Sequence, residues 1–435
     1  MSKPNALFIT APIRSHIIPS LYIANLLSDS YNITYVVEND ILEKLVGSQG
    51  FKAVKYETLK ENVLQNSDRT FLGFVRDELE TKGFKNHRKV LQKLIEDLTP
   101  SIIVVDIFKG YDFYYLHHYL SKVKVFFFNP MVSTYRVEGF LTVAGKNWIK
   151  EEKTKINAFE QPKHYFLSKL NAYKEKKILK TCKNGFKESI SNKSTFATLF
   201  ENQIEFVLAP LEFEYSPEVR RNNQIYLGSC TSKKRVDTEL DNSFDLRFAQ
   251  IVEKRQQGEK IIYCSFGTFY AGSNVPVINF FRNLLDAVAE IPNIQVVCSV
   301  NDIVIQTLEY QRTIPANIHL FSRTPQLKVL ENTDIFITHG GFGSIKESID
   351  YCVPMIVYPL DLTYDQYGNS LKVAHHKIGI AGTFKSEQPN NLRENILTML
   401  ADDAYKENIT KMNQAISRKY AFNKQREFIH QLIVN

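Results

Sequence analysis

The chain has 435 residues, of which 44% are hydrophobic and 23% charged, and this size and composition favour two ordinary domains with buried cores. Its 54 basic and 47 acidic residues give a net charge of +7, an excess too small to indicate nucleic-acid binding by itself. The sequence shows neither a signal-peptide pattern nor an apolar run of about eighteen residues, so we expect a cytoplasmic protein without a transmembrane helix.

The cysteines lie far apart, without a CxxC pair and without the spacing of a metal site. At least three of them have apolar neighbours, which favours buried thiols in a reducing compartment. The five positions are Cys182, Cys230, Cys264, Cys298 and Cys352.

The first half of the chain alternates short apolar, β-rich runs with helical segments such as His87 to Leu98. This alternation predicts a parallel, doubly wound sheet. The predicted strands are 7–11, 33–37, 53–56, 102–105 and 123–128. We expect Pro19 to begin the first helix, because proline is favoured at a first helical position, and this leaves His16 in the preceding turn.

His16 follows the first predicted strand and Asp106 follows the fourth. Because parallel strands end at the same edge of a sheet, we expect the two side chains to lie at that edge. Such residues, taken singly, are more often a packing histidine and a helix-capping aspartate than a catalytic pair.

Residues 146–187 contain twelve lysines and four glutamates among aromatic and aliphatic side chains. The favoured interpretation is a pair of amphipathic helices with a lysine-covered solvent face. The alternative is a surface that meets an anionic membrane or a lipidic acceptor.

Residues 231–259 are polar and contain no predicted strand, and we place an interdomain linker within them. A second set of strands follows at 261–265, 294–300, 318–321, 335–338 and 355–358. The strand that ends at Thr338 runs into a glycine-rich turn, residues 339–344, and then into a helix. Such a turn lets an anion approach the free N–H groups at the helix start.

The motifs together resemble the family 1 UDP-glycosyltransferases, which include plant secondary-metabolite and bacterial macrolide enzymes. The resemblance rests on Pro325-Gln326, His339-Gly340-Gly341, Ser344, Glu347, Val353-Pro354, Pro359 and Asp365-Gln366-x-x-Asn369. Ser15-His16-Ile17-Ile18-Pro19 is also similar to the family's G-H-x-x-P, and Val104-Val105-Asp106-Ile107-Phe108 to its V-x-D-x-F. The resemblance to the family covers nearly the whole chain and is weakest over residues 131–205.

The resemblance implies two Rossmann-like α/β domains that face each other across a cleft, the GT-B fold. It places an acceptor-binding domain at residues 1–235 and a donor-binding domain at 255–419, with a last helix, about 420–435, that packs back on the first. His16 would be the general base and Asp106 the residue that orients it. The implied donor contacts are Thr268, Arg323, Thr324, Gln326, His339, Gly341, Gly343, Ser344, Glu347, Asp365 and Gln366. In the family, the histidine and serine contact the diphosphate, the glutamate binds the ribose, and the last two residues bind the sugar.

Two positions depart from the family pattern. Arg323 stands where the family usually has a tryptophan that stacks on uracil, although a guanidinium plane can also stack on a base. The spacing from Pro359 to Asp365 is two residues longer than usual. These departures leave the base (UDP or dTDP) and the donor sugar open.

The resemblance therefore implies inverting, metal-independent transfer of a sugar, with glucose favoured, from a UDP-sugar to a hydroxyl of a small hydrophobic acceptor. No cofactor, metal or nucleic acid is expected. The alternatives are a membrane-surface lipid glycosyltransferase, a nucleotide-sugar epimerase and a catalytically inactive nucleotide-sugar-binding subunit. A dinucleotide dehydrogenase fits poorly, because no G-x-G-x-x-G run opens either half.

Overall fold

The structure is a computed structural model that describes residues 3–55, 75–76, 79–147, 162–181, 190–191, 193, 195–267 and 274–434. Its first sheet is parallel throughout, in the order β3-β2-β1-β4-β5-β8-β9. These strands are β1 (Asn5–Ile9), β2 (Asn32–Val37), β3 (Lys52–Lys55), β4 (Ile102–Asp106), β5 (Lys124–Asn129), β8 (Glu205–Val207) and β9 (Gln224–Tyr226). A separate antiparallel pair joins β6 (Ile190–Ser191) and β7 (Leu199–Phe200).

Helices connect these strands and cover the faces of the sheet, as parallel pairing requires. They are α1 (Arg14–Leu27), α2 (Asp40–Ser48), α3 (Lys82–Leu98), α4 (Gly110–Leu116) and α5 (Pro162–Thr181). The central strands are buried on both faces, and every residue of β4 is buried. This explains why the strands read as continuous apolar runs in the sequence.

The second sheet is also parallel, in the order β12-β11-β10-β13-β14-β15. Its strands are β10 (Lys260–Ser265), β11 (Ile294–Ser299), β12 (Ile318–Phe321), β13 (Ile335–Thr338), β14 (Met355–Val357) and β15 (Gly379–Ala381). The helices of this half are α6 (Phe244–Gln256), α7 (Asn274–Val288), α8 (Asp302–Gln311), α9 (Gln326–Leu330), α10 (Phe342–Asp350), α11 (Asp365–His375), α12 (Pro389–Ala401), α13 (Ala404–Lys419) and α14 (Phe422–Val434). The prediction of two parallel, Rossmann-like α/β domains is confirmed.

The predicted start of the first helix was wrong. Helix α1 begins at Arg14, because the carbonyl of Ile13 already accepts hydrogen bonds from the N–H groups of His16 and Ile17, at 3.1 and 3.2 Å. Pro19 therefore lies inside the helix rather than at its start. His16 is consequently held in the first helical turn instead of a loop.

Buried polar contacts join the two halves of the chain. Lys346 of α10 donates to the Leu208 carbonyl at 2.6 Å. Lys372 of α11 forms an ion pair with Glu214 at 3.2 Å, and both side chains are almost fully buried. Removing one partner of such a buried pair would leave an uncompensated charge, so these contacts fix how the domains meet.

The last helix, α14, lies against the first domain rather than the second. The rings of Tyr22 and Phe422 meet edge to face, with centroids 5.7 Å apart. Ile429 and Ile433 are buried in the same apolar cluster as Phe8 and Leu26.

Much of the lysine-rich 146–187 segment lies outside the described residues, including Trp148 and Phe159. The described part forms one helix, α5, in which Leu170 and Ile178 are buried and Tyr173 is exposed. Among the described cysteines, Cys230, Cys264 and Cys298 are buried free thiols and Cys352 is half-buried, whereas Cys182 lies outside the described residues. No helix in the described ranges is long and apolar enough to cross a membrane.

Candidate active site

His16 and Asp106 meet at the carboxyl edge of the first sheet. Four residues separate the end of β1 at Ile9 from the start of α1 at Arg14, and Asp106 is the final residue of β4, the strand that pairs with β1. The His16 Nδ1 and Asp106 Oδ2 atoms are 2.7 Å apart. The Asp106 side chain is fully buried, and the His16 side chain is 10% exposed. The edge of the His16 ring packs on Phe108.

The hydrogen bonds around Asp106 determine which nitrogen of His16 carries the proton. Asp106 Oδ2 also accepts from the Ala11 N–H at 3.0 Å, and Oδ1 accepts from the Phe108 N–H at 2.9 Å. An ionised carboxylate only accepts, so the His16 Nδ1 atom is the donor of the pair. The lone pair on Nε2 is then available to take a proton, which is the arrangement of a general base.

The glycine-rich turn lies at the carboxyl edge of the second sheet, after β13. Its His339 ring is packed between two glycines: a Cβ on Gly341 would lie 2.4 Å from Nε2, and one on Gly267 would lie 3.0 Å from Cε1. Burial lowers the pKa of His339 to about 4. The ring is therefore neutral at pH 7 and can act on an anion as a hydrogen-bond donor but not as a cation. Its buried Nδ1 has no hydrogen-bond partner among the described residues.

Helix α10 begins at Phe342, inside the segment 339–344 that the sequence predicts as a turn. A Cβ on Gly343 would meet nothing within 4 Å, so the first helical turn is open to a ligand. Ser344 lies on the same turn and is buried, and its Oγ accepts from Gln326 Nε2 at 3.3 Å. The open N–H groups and the helix dipole form a site suited to a diphosphate.

Glu347 of α10 is held from two sides. Its Oε1 accepts from Arg235 Nη1 at 2.6 Å, and its Oε2 accepts from Gln326 Nε2 at 2.6 Å. Arg235 also donates through Nε to Asp237 at 2.9 Å, and its side chain is only 6% exposed. Burial opposes the charge of Arg235, but the two carboxylates outweigh it and raise its pKa above the ordinary value.

Arg323 lies beside the segment that joins the domains. Its Nη1 atom donates to Glu239 at 2.9 Å, and Arg14 of α1 donates to the same carboxylate oxygen at 2.9 Å. Glu239 thus connects one arginine from each domain. Thr324 follows Arg323 in the chain. Its hydroxyl forms a hydrogen bond with the Tyr263 hydroxyl at 2.8 Å inside the core, so the Thr324 side chain stabilises the wall of the site.

Asp365 and Gln366 open helix α11, after the loop that is longer than usual. Asn369 donates to Asp365 at 3.0 Å and to the Gly340 carbonyl at 2.9 Å, which ties this helix to the glycine-rich turn. Gln366 Oε1 accepts from the N–H groups of Leu360 and Asp361, at 2.9 and 3.1 Å. The Gln366 oxygen therefore stabilises the loop, and the Gln366 amide nitrogen is the group that could donate to a sugar.

The two domains meet beside Asp365. The rings of Phe196 and Tyr364 have centroids 5.6 Å apart, and a Cβ on Gly368 would lie 2.0 Å from the Val143 carbonyl oxygen. Burial raises the pKa of the Asp365 carboxyl, and the hydrogen bond from Asn369 acts in the opposite direction. The sugar-binding candidate of the second domain therefore lies next to the surface where the first domain packs. Such an arrangement suits a reaction between two substrates, one held on each side.

Hydrogen bonds join the predicted donor residues Gln326, Ser344 and Glu347, and Asn369 ties Asp365 to the glycine-rich turn. The Thr324 hydroxyl and the Gln366 oxygen are engaged within the protein, and Arg323 contacts Glu239. Thr268 lies outside the described residues. The sequence motifs do not include Arg235 and Glu239, which lie in the predicted linker 231–259. Their signal was an alternation of charged side chains at every second residue, Arg235, Asp237 and Glu239. In the part of the chain that the structure describes, no three His, Cys, Asp or Glu side chains converge as a metal site would need.

Comparison with known proteins finds similar sequences and similar folds. The profile of the family described as "Erythromycin biosynthesis protein CIII-like, C-terminal domain" matches residues 282–423. The uncharacterized UDP-glucosyltransferase YdhE of Bacillus subtilis is 32% identical over 178 residues, which span 40% of this chain and 42% of YdhE. YojK of Bacillus subtilis, also described as an uncharacterized UDP-glucosyltransferase, is 23% identical over 95% of this chain and 93% of its own.

Solved structures show the same fold along the whole chain. The glycotransferase of kitacinnamycin superposes with a TM-score of 0.70 at 18% sequence identity, covering 100% of both chains. The glycosyltransferase SnogD of Streptomyces nogalater superposes with a TM-score of 0.62 at 17% identity, covering 99% of this chain and 100% of SnogD.

Proposed function

We propose that the chain is a family 1 glycosyltransferase that transfers a sugar from a UDP-sugar to a hydroxyl of a small hydrophobic acceptor, a proposal supported by the matching family profile, the similar UDP-glucosyltransferases and the GT-B fold. We further propose glucose as the sugar, inversion at the anomeric carbon, and no requirement for a metal ion. The observation that carries this proposal is the buried His16–Asp106 pair, whose Nδ1 and Oδ2 atoms are 2.7 Å apart.

In this mechanism, His16 acts on the acceptor. Its Nε2 takes the hydroxyl proton as the acceptor oxygen attacks the anomeric carbon from the face opposite the leaving UDP. The positive charge that forms on the ring is stabilised by Asp106, which already holds Nδ1–H. Attack from the opposite face inverts the anomeric configuration.

In the donor half, the charge that develops on the leaving diphosphate is met by groups that are already in place. The N–H groups at the start of α10, the Ser344 hydroxyl and the neutral His339 ring can each donate a hydrogen bond. Fixed donors of this kind stabilise a transition state without having to reorganise. Asp365 and the Gln366 amide nitrogen are the groups proposed for the sugar hydroxyls.

The test compares wild type, His16→Ala and the control His375→Ala, since His375 is an exposed residue at the far end of α11. UDP release from UDP-glucose is measured with EDTA present, against phenolic, macrolide, steroid and carotenoid acceptors. We expect acceptor-dependent release, reduced about 100-fold or more in His16→Ala and unchanged in the control. UDP binding should survive in all three proteins.

Other outcomes separate the alternatives. Release without any acceptor would indicate an epimerase or a hydrolase, and activity that disappears in EDTA would contradict the metal-independent mechanism. Full activity in His16→Ala would remove the general base assigned here. The configuration of the glycoside, read from its anomeric proton coupling, tests inversion, and a panel of nucleotide sugars tests glucose and UDP.

A lipidic acceptor at a membrane surface is a second candidate. Phe166 and Tyr173 are both exposed and lie seven residues apart on α5, so they share a face of a lysine-rich helix. Flotation of the protein with anionic vesicles would support this candidate, and its loss in Phe166→Ser/Tyr173→Ser would locate the contact.

A further inference from the structure

The segment between β9 and α6 contributes a buried arginine to the donor site. The Arg235 side chain is 6% exposed and lies between two carboxylates, Glu347 at 2.6 Å and Asp237 at 2.9 Å. A buried guanidinium is costly unless its charge is neutralised and its N–H groups are bonded. Arg235 satisfies both conditions, and one of the carboxylates that neutralise it is the proposed ribose ligand.

The hydrogen bonds of Glu347 leave acceptor positions for a ligand. A carboxylate has about four acceptor positions, two on each oxygen. Arg235 occupies one on Oε1 and Gln326 occupies one on Oε2. Among the contacts of the described residues, one position on each oxygen is therefore left, and a vicinal diol presents two hydroxyl donors to such a pair of oxygens.

We propose that Arg235 is a positioning residue of the donor site, which orients the Glu347 carboxylate so that each oxygen accepts one of the two ribose hydroxyls. This inference rests on the proposed function, because it needs a ribonucleotide donor. Arg235 itself acts through Glu347 and does not need to touch the ligand.

The position of Arg235 is set by both domains. On one side, the backbone of Val236 exchanges two hydrogen bonds with the side chain of Gln49, the residue that follows α2, at 2.9 and 3.2 Å. On the other side, Asp241 accepts from the Ser322 N–H at 3.0 Å. The arginine is thus fixed by a segment anchored at both of its ends, as a residue that orients another should be.

The test measures the binding of UDP and of 2′-deoxy-UDP by titration calorimetry without acceptor. Wild type should prefer UDP by about 10- to 100-fold, as expected for a hydroxyl bonded to a carboxylate. In Arg235→Gln, UDP affinity should fall towards that of 2′-deoxy-UDP, while binding of the deoxy analogue stays within about threefold of wild type. Arg235→Lys, which keeps the charge but not the fork of donors, should be intermediate.

Arg312→Gln is the matched control, because it removes another arginine–carboxylate pair of the donor domain, with Asp286 at 2.6 Å. Its preference for UDP should equal that of wild type. Thermal melting of every variant separates loss of fold from loss of orientation.

Three results would overturn the inference. They are an unchanged preference for UDP in a folded Arg235→Gln, an equal fall in the affinity for both nucleotides, and a wild type that binds both nucleotides equally well. A wild type that binds neither nucleotide would instead contradict the proposed function.

Discussion

Replacing Asp106 by asparagine tests the base assignment without changing the size of the side chain. The carboxylate accepts three hydrogen bonds: two reach Oδ2, from Ala11 N–H and His16 Nδ1, and one reaches Oδ1, from Phe108 N–H. An amide has one oxygen and one NH₂ group. With the oxygen in the Oδ2 position only the Phe108 N–H faces another donor, whereas the reverse orientation opposes the Ala11 N–H and also requires the His16 proton to move from Nδ1 to Nε2.

The first orientation should therefore dominate, and it keeps the proton on His16 Nδ1. What is lost is the negative charge that stabilises the imidazolium in the transition state. A hydrogen bond to a charged group contributes about 1.5–3 kcal/mol, which converts to a fall in kcat of roughly 10- to 150-fold. The opposed donors at Phe108 should cost about 1–3 kcal/mol of stability.

The assay is acceptor-dependent UDP release at saturating substrates, together with calorimetric titration of UDP and a thermal melt. We expect kcat to fall in this range while the affinity for UDP stays at the wild-type value, because Asp106 lies in the acceptor half. A kcat within threefold of wild type would refute the reasoning. So would a loss of UDP affinity as large as the loss in kcat.

Two further substitutions test the donor turn and a buried carboxyl. Gly341→Ala puts a Cβ 2.4 Å from His339 Nε2 and should weaken UDP binding about tenfold or more in a titration, whereas the control Gly47→Ala, whose Cβ meets nothing within 4 Å, should leave binding unchanged. Burial raises the pKa of Glu205 to about 7 from an ordinary value of 4.5, so its contribution to stability is present below pH 4.5 and is lost as the pH rises to 7. At pH 4.5, Glu205→Gln should therefore have the same unfolding free energy as wild type. At pH 8, its unfolding free energy should exceed that of wild type by about 1–3 kcal/mol, which a thermal melt at each pH would show. A variant that melts equally with wild type at both pH values would contradict this sign.

Most of the fold was predictable because its strands and helices produce local patterns of apolar, polar and glycine residues in the sequence. The apolar run of β4 and the turn after β13 show strand, turn and helix signals within a few residues. The start of α1 was missed because the position of Pro19 favours a helix start, while the helix is set by the carbonyl of Ile13 upstream. Boundaries depend on hydrogen bonds that the sequence does not display.

The candidate site was predictable only where its residues stand in motifs. His16 and Asp106 are 90 positions apart, and the order of the strands brings them together. Arg235 and Glu239 stand in an alternation of charges but in no functional motif, and their role depends on where a loop passes between two domains. Their partners Glu347 and Arg323 are more than 80 residues away, a separation at which no local pattern could reveal the pairing.

The sharing of Glu239 between Arg14 and Arg323 bears on domain exchange with relatives. A chimera that takes its donor half from another protein is normally joined in the loop between the domains. Here that loop carries Glu239, which pairs with Arg14 of the first domain and with Arg323 of the second. The same loop carries Arg235, which pairs with Glu347 of the second domain. Residues 235–241 therefore belong with the donor half when halves are recombined, and Arg14 must be matched to whichever carboxylate the new loop brings.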